Sequence, residues 1–217
     1  MDIVLKVYNT LFDTYGDQQW WPAKAPFEVM VGAILTQNTA WSNVELAIQN
    51  LLAADCMTPE KLLLLESELL ADMLRPSGYY NVKARRLINF CRWYQGNGGF
   101  ECLQGWDTDT LRTGLLAVNG IGPETADDIL LYAFRREIFV VDTYTGRLFF
   151  RLGQTSEKMD YALLQAYFHD RLEKDETLFN QYHALIVKHA KDICQIKPRC
   201  LDCCLSSICK FNLSTQY

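Results

Sequence analysis

The sequence lacks any apolar run of the roughly 18 residues that a membrane-spanning helix needs. Its first residues also lack the basic-then-apolar order of a signal peptide. It contains no repeat at a fixed period and no low-complexity tract. With 217 residues, 49% of them hydrophobic and 12% aromatic, the chain can bury a substantial core. We therefore expect an intracellular globular protein with no membrane partner.

An excess of positive charge is missing as well, because the formal net charge is −5. This argues only mildly against a nucleic-acid partner, since such binding depends on a local basic face and not on the total charge. Basic residues do cluster within segments 83–92, 135–136, 147–151 and 188–199. Solvated helix faces explain each cluster equally well, so charge alone leaves the partner open.

Strand-like segments are nearly absent too. Only residues 137–141, Glu-Ile-Phe-Val-Val, look strand-like, and five residues are too few to imply a sheet. Elsewhere apolar residues recur at helical spacing, which predicts helices at 2–14, 27–37, 42–54, 60–73, 82–95, 107–118, 123–135, 142–152, 160–173 and 177–192. Short segments rich in glycine and proline separate these helices. The sequence therefore predicts an all-α fold.

One of these separators lies within residues 119–130, NGIGPETADDIL. Asn119 and Gly120 suit the end of a helix, and Pro123 suits the first position of the next one. The glycines would expose backbone N–H groups near a helix N-terminus, where they can donate hydrogen bonds to a phosphate without a lysine. An ordinary hairpin between two helices explains the same pattern. Further along, Asp142 follows an apolar run and could be a plain N-cap.

Four segments together resemble the helix-hairpin-helix DNA glycosylases of the endonuclease III superfamily, over nearly the whole chain. They lie at 34–39, 77–84, 115–126 and 141–143. The resemblance implies two α-helical lobes with a DNA cleft between them. Residues 24–135 would form the lobe that carries the hairpin, at 107–135. Residues 1–23 and 136–217 would form the other lobe.

The resemblance also implies a partner and roles for single residues. The partner would be double-stranded DNA with a damaged base, bound by a monomer in the cytoplasm, in association with the nucleoid. In the hairpin, Gly120, Gly122 and Thr125 would bind the DNA backbone. After the damaged nucleotide is flipped out, Gln37 and Tyr79 would fill the space that it leaves.

Asp142 matches the catalytic aspartate of this superfamily. Its carboxylate would stabilise positive charge on the deoxyribose and orient or deprotonate the attacking water. In the bifunctional members, the second residue after Gly-x-Gly is a lysine that forms a Schiff base. Here Glu124 holds that place, and a carboxylate cannot form an imine. The resemblance therefore argues for a monofunctional glycosylase that uses water.

The candidate residues for the pocket that holds the damaged base are Trp20, Trp21 and Glu124. Packing in the core explains the two indoles equally well, but they could also stack on a flipped base. Aromatic faces and a carboxylate would suit a cationic alkylated purine such as 3-methyladenine. A subgroup called 3-methyladenine DNA glycosylase III resembles this chain at 20–22, 35–39, 75–81 and 120–124.

Cysteines are concentrated near the C-terminus, where five of the eight lie between Cys194 and Cys209. In an intracellular chain this density favours a metal site over disulfides. Four of them resemble the family's [4Fe-4S] loop: Cys194, Cys200, Cys203 and Cys209. The family usually has six residues in the first gap, and this chain has five. Cys204 competes with Cys203 as a ligand, and zinc remains the alternative metal.

Two basic residues of this loop, Lys197 and Arg199, would bind the DNA backbone, as the resemblance implies. Two other functions remain open. One is an endonuclease III-type glycosylase and AP lyase for oxidised pyrimidines that uses another lysine, for instance Lys191. The other is a non-catalytic DNA-damage-binding protein, against which Asp142 at the matched position argues.

Overall fold

The computed structural model describes residues 2–21 and 25–214. Within these residues it contains thirteen α-helices and no β-strand, which confirms the predicted all-α fold. None of the helices described is both long and apolar enough to cross a membrane. Pro22, which follows the two indoles in the sequence, lies outside the described residues.

The helices are connected by short turns and a few longer loops. In chain order they are α1 (Ile3–Tyr15), α2 (Pro26–Leu35), α3 (Trp41–Ala53), α4 (Pro59–Leu64), α5 (Ser67–Met73), α6 (Tyr80–Gly96), α7 (Gly99–Gln104), α8 (Thr108–Leu116), α9 (Pro123–Asp128), α10 (Thr143–Arg151), α11 (Tyr161–His169), α12 (Glu176–Asp192) and α13 (Lys210–Ser214).

The chain divides into two compact units. The first, called the terminal unit below, comprises Met1–Trp20 and Glu137–Tyr217, and the second, the central unit, comprises Trp21–Arg136. Helices α1 and α10–α13 belong to the terminal unit, and α2–α9 belong to the central unit.

Aromatic packing around α12 forms the core of the terminal unit. Phe179 and Tyr182 of α12 are fully buried. The Tyr182 hydroxyl donates to the Val4 carbonyl at 2.7 Å, which ties α12 to α1. Phe139 stacks on Phe168 of α11 with ring centroids 4.2 Å apart. Such aromatic pairs add stability beyond the area that they bury.

The strand-like segment at 137–141 lies at the start of the second part of the terminal unit and forms no strand. Phe139, Val140 and Val141 are nevertheless buried. Side chains satisfy the Phe139 backbone: its N–H donates to His169 Nε2 at 3.2 Å, and its carbonyl accepts from Gln165 Nε2 at 2.8 Å. The apolar run therefore reflects burial of a connection and not pairing in a sheet.

The central unit differs from the sequence-based helices in three places. The predicted helix at 60–73 is broken into α4 and α5, because Leu65 has an extended backbone. Helix α7 was not predicted, since Gly98 and Gly99, with which it begins, looked like part of a separator; both have positive φ. The predicted helix at 123–135 is α9 followed by a π-helical turn, Ile129–Ala133.

Candidate functional site

The hairpin between α8 and α9 depends on glycine at one position and is open at another. Gly120 has φ +103°, and a Cβ there would lie 2.2 Å from Cγ of Arg86. At Gly122 a Cβ would meet no atom within 4 Å. Only glycine therefore fits position 120 without movement of Arg86. The backbone at position 122 is accessible to a ligand.

Gln37, just beyond the end of α2, holds the hairpin. Its Nε2 donates to the Gly120 carbonyl at 3.0 Å and to Thr125 Oγ1 at 2.9 Å. The Arg86 guanidinium donates to Gln37 Oε1. The Thr125 side chain is only 5% exposed, so its hydroxyl faces Gln37 and not solvent. In this structure the amide of Gln37 therefore braces the hairpin, and Thr125 is buried beneath it.

Tyr79 is the exposed tip of a turn that precedes α6. It has a left-handed backbone, with φ 45°, and its residue is 73% exposed. Lys83 braces this turn from the inside, because its Nζ donates to the carbonyls of Ser77 at 2.6 Å and Leu35 at 2.8 Å. Burial, with a smaller effect from Arg86, lowers the pKa of Lys83 to about 8. Lys83 is thus not part of a basic surface.

The acidic residues at the start of α9 have different surroundings. Asp127 is fully buried and accepts from Arg112 of α8, at 2.7 Å from Nε and 3.0 Å from a terminal nitrogen. This bidentate pair connects the two helices of the hairpin. Glu124, in the first turn of α9, is exposed. Of these acidic side chains, Glu124 is the one at the surface near the hairpin.

The two indoles belong to different units. Trp21, in the central unit, packs edge-on against Trp41 at 4.9 Å and lies 5.0 Å from the ring of Tyr132. It also lies over Gly32 of α2, where a Cβ would be 3.1 Å from its ring. Trp20 is partly exposed in the terminal unit. Trp21 thus has a packing role in the central unit, and the residue is partly exposed.

Asp142 is the N-cap of α10. Its Oδ1 accepts from the Thr145 backbone N–H at 2.7 Å and from the Thr145 hydroxyl at 2.9 Å. Its Oδ2 lies 3.6 Å from Nε2 of His183 on α12, and the Asp142 side chain is 11% exposed. Burial would raise the pKa of Asp142, but the His183 imidazole and then the Thr145 bonds outweigh burial and lower that pKa. Asp142 is therefore a nearly buried, ionised carboxylate.

The sequence-based reasoning missed both partners of Asp142. Thr145 follows a capping aspartate by three residues, a spacing at which a hydroxyl can bind the cap. His183 is one of three histidines in the chain and lies 41 residues away, so no local pattern marks it.

The basic pair Arg147 and Arg151 is also internal to the terminal unit. Arg147 Nε donates to the Cys194 carbonyl at 2.9 Å. Arg151 donates to Cys194 Sγ at 3.2 Å and to the Gln195 carbonyl at 2.6 Å. These two arginines hold the C-terminal loop onto α10 and are not an open basic face.

Four cysteines line one pocket in that loop. The pocket has a volume of about 340 Å³ including its open side, and its thiols are those of Cys194, Cys200, Cys203 and Cys209. Cys204 is not among the lining residues. Across the described residues, no three histidine, cysteine or acidic side chains converge on a point that could hold a metal ion. Burial raises the pKa of Cys203 to about 11, an effect that a bound cation would oppose.

The donor set of this pocket nevertheless fits an iron–sulfur cluster, because four cysteines line it together with apolar residues such as Leu148 and Leu205. Lys197 and Arg199 of the same loop are exposed. Arg199 pairs with Asp202 at 2.7 Å. Lys197 is not part of this ion pair.

A glycine hairpin between two helices, followed by an aspartate that caps a later helix, is the arrangement that the resemblance to helix-hairpin-helix DNA glycosylases implies. The chain belongs to the HhH-GPD superfamily of base excision DNA repair proteins, whose family model matches residues 31–174. That span contains both the hairpin and Asp142. The protein is thus a base excision repair DNA glycosylase of this superfamily.

Individual relatives agree with this assignment. The "Putative DNA repair glycosylase MJ1434" of Methanocaldococcus jannaschii is 47% identical over 211 residues, 96% of each chain. The crystal structure of H. pylori 3-methyladenine DNA glycosylase bound to 1,N6-ethenoadenine has a TM-score of 0.76 at 32% identity, over 87% of this chain and 97% of that one. A trapped endonuclease III–DNA covalent intermediate has a TM-score of 0.84 at 18% identity over both full chains, which shows a shared fold.

Proposed function

We propose that this protein is a monofunctional DNA glycosylase that hydrolyses the N-glycosidic bond of alkylated purines, of the 3-methyladenine type, in double-stranded DNA. One observation carries the proposal. An ionised carboxylate, Asp142, is held in a fixed position, while the hairpin helix begins with the carboxylate of Glu124 and not with an amine.

The reaction follows from the state of Asp142. A purine of the 3-methyladenine type carries positive charge in DNA, so it leaves with the electron pair of the glycosidic bond and the deoxyribose becomes cationic. The Asp142 carboxylate would stabilise that cation, and water would add to C1′ and lose a proton. Oδ1 already accepts two hydrogen bonds from Thr145, so Oδ2 is the oxygen that would face the sugar or the water.

Strand cleavage by a lyase would require an amine that forms a Schiff base with the sugar. Glu124 cannot supply one. Lys83 is buried and donates to two carbonyls, which leaves it unsuited to the task. Lys191 is exposed at the end of α12 and remains the candidate amine of the alternative, an endonuclease III-type glycosylase and lyase.

The preference for an alkylated purine rests on the surroundings of Trp21 and Glu124 and on one relative. The partly exposed indole of Trp21, and that of Trp20, would stack on the base, and Glu124 would favour a cationic one. The 32% identical H. pylori 3-methyladenine DNA glycosylase was crystallised with 1,N6-ethenoadenine, which supports a purine base, while the preference for a cation rests on Trp21 and Glu124. These residues therefore favour a cationic purine over a neutral oxidised pyrimidine.

DNA would be held mainly through the hairpin and the exposed turn. The accessible backbone at Gly122 would bind a phosphate, together with Gly120 and Thr125 of the same hairpin. Tyr79 would enter the stack that the flipped nucleotide leaves, because this residue is exposed at the tip of its turn. Gln37 would reach the same gap only after releasing the hairpin. Lys197 and Arg199 would bind the backbone from the C-terminal loop.

A [4Fe-4S] cluster is the cofactor that we propose for the cysteine pocket. Cys194, Cys200, Cys203 and Cys209 would hold it, and it would give the loop its shape. Cys203 is preferred over Cys204 because Cys203 lines the pocket. Protein purified without oxygen should be yellow-brown and contain about four irons per chain.

Two matched variants test the ligand set. Cys203→Ser should lose the iron and the colour, whereas Cys204→Ser should keep both. Loss in Cys204→Ser alone would reverse the choice, and stoichiometric zinc without iron would replace the cluster by a zinc site.

A glycosylase screen tests the catalytic proposal. Duplexes carrying 3-methyladenine, 7-methylguanine, 1,N6-ethenoadenine, hypoxanthine, thymine glycol or uracil are incubated with the protein, and strand breaks are counted with and without alkali. We expect release of alkylated purines, with breaks only after alkali. Borohydride should trap no covalent adduct in proportion to base release.

Other outcomes would favour the alternatives. Excision of thymine glycol with efficient trapping that Lys191→Gln abolishes would establish the lyase. Tight binding of lesion DNA without release of any base would indicate a non-catalytic damage-binding protein.

A further inference from the structure

A buried histidine of the terminal unit links a tyrosine to one of the pocket cysteines. His189, near the end of α12, is 0% exposed. Its Nδ1 lies 2.8 Å from the hydroxyl of Tyr15, the last residue of α1. Its Nε2 lies 3.6 Å from Cys203 Sγ. The catalytic proposal above uses none of these contacts.

The direction of the two hydrogen bonds follows from the chemistry of a cluster ligand. A cysteine sulfur bound to iron carries no proton, so it can only accept. Nε2 of His189 must then carry the ring proton, and Nδ1 must accept from the Tyr15 hydroxyl. Tyr15 therefore selects the tautomer that directs an N–H at Cys203, as partners of histidine do at other metal sites.

We propose that His189, oriented by Tyr15, donates a hydrogen bond to the Cys203 sulfur and thereby stabilises the reduced state of the cluster. The proposal rests on the [4Fe-4S] cluster inferred above. When the cluster gains an electron, negative charge on its sulfur ligands increases. A donor held next to one of those sulfurs, away from water, favours the more negative state and raises the reduction potential.

Two of the other pocket cysteines have different neighbours. Cys194 Sγ accepts from Arg151, whereas Cys209 Sγ lies 3.4 Å from the Arg151 carbonyl, which cannot donate. Cys203 is therefore the ligand whose donor is a neutral ring with a choice of tautomer. That choice gives His189 and Tyr15 an effect on the cluster that packing alone would not produce.

Three variants of the full chain, purified without oxygen, test the proposal. His189→Leu removes the donor, His189→Gln keeps an N–H in its place, and Tyr15→Phe removes only the hydroxyl. Iron per chain and thermal melting are measured first. The reduced fraction of the cluster is then measured against applied potential. Tyr8→Phe is the matched control, because it removes a tyrosine hydroxyl from the same helix away from His189.

At a fixed potential, His189→Leu should lower the ratio of reduced to oxidised cluster by about tenfold, or about 59 mV for one electron. Tyr15→Phe should move the ratio in the same direction by less, His189→Gln should restore part of it, and Tyr8→Phe should leave it unchanged. Full iron with an unchanged potential in both His189→Leu and Tyr15→Phe would overturn the inference. If His189→Leu loses its iron, the Tyr15→Phe and His189→Gln results decide. Wild-type protein without iron would overturn the cluster itself.

Discussion

Replacing Gly120 by alanine should disrupt the hairpin by two separate effects. The backbone at this position has φ +103°, where a side chain costs about 1–3 kcal/mol. The new Cβ would also lie 2.2 Å from Arg86 Cγ and 3.0 Å from Arg86 Cβ, so Arg86 must move as a whole. That movement would break its bond to Gln37, worth about 1 kcal/mol. Together these effects should lower the free energy of unfolding by about 2–4 kcal/mol.

Gly122→Ala is the matched control, because it adds the same methyl group two residues later. Its φ is −94° and a Cβ there meets no atom within 4 Å. As an N-cap, alanine in place of glycine should cost less than about 1 kcal/mol. A methyl group at this accessible backbone should nevertheless hinder a DNA phosphate. The two variants therefore separate the fold of the hairpin from its contact with DNA.

Thermal melting and fluorescence anisotropy with an abasic-site duplex measure the two effects. We expect Gly120→Ala to lower the melting temperature by roughly 4–16 °C. Gly122→Ala should melt within a few degrees of the wild type, yet bind DNA about tenfold more weakly. Wild-type melting of Gly120→Ala would refute the steric reasoning. Wild-type DNA affinity of Gly122→Ala would refute the phosphate contact.

Three further predictions concern stability, pH and the exposed turn. Asp127→Asn should lower the free energy of unfolding in urea by about 2–3 kcal/mol, because it removes the negative charge that pairs with Arg112. The loss should be smaller than for a fully buried ion pair, because the Arg112 side chain is 28% exposed. Excision should stay constant from about pH 7 to about pH 5, since the pKa of Asp142 is lowered and its ionised form persists in mild acid. His183→Asn should move the acidic limb of the pH–rate profile to higher pH, because the imidazole then no longer offsets the rise in the pKa of Asp142 that burial causes. Tyr79→Ala should slow excision from duplex DNA by roughly 5- to 30-fold and leave a single-stranded lesion nearly unaffected.

The pH prediction also has a consequence for stability. A carboxylate with a lowered pKa in the folded state stabilises the protein above its unfolded pKa. That contribution disappears as the pH falls through the folded pKa of Asp142. Protonation of Asp142 should therefore lower the free energy of unfolding of the wild type only at a pH below the ordinary carboxyl range. Unfolding in urea at a series of pH values measures this loss.

Local patterns were sufficient for the all-α fold and for much of the hairpin. Gly120 has a positive φ and Pro123 begins α9, so these two positions of the turn follow from local backbone chemistry. Asn119 does not end α8, whose C-cap is Ala117. The same argument failed at 60–73, where the apolar spacing continues through Leu65 although the backbone there is extended. Spacing alone does not report such a break.

Contacts between segments far apart in the chain could not be predicted from the sequence. Gln37 looked free to enter DNA, but in the structure its amide binds the hairpin 83 and 88 residues later. Lys83 looked like part of a basic face, yet it is buried between two carbonyls. His183 reaches Asp142 only because α10 packs on α12. Each of these depends on tertiary packing and leaves no periodic trace.

The most direct test of the catalytic proposal compares two aspartates that cap helices of the terminal unit. Asp142 caps α10, and Asp160 caps α11 by accepting from the Ala162 N–H at 2.9 Å. Asparagine is a good N-cap, so both Asp→Asn variants should fold. Single-turnover release of 3-methyladenine from duplex DNA should fall at least about a hundredfold in Asp142→Asn, with affinity for lesion DNA nearly unchanged. Asp160→Asn should release the base at the wild-type rate. Full activity of Asp142→Asn would contradict the mechanism.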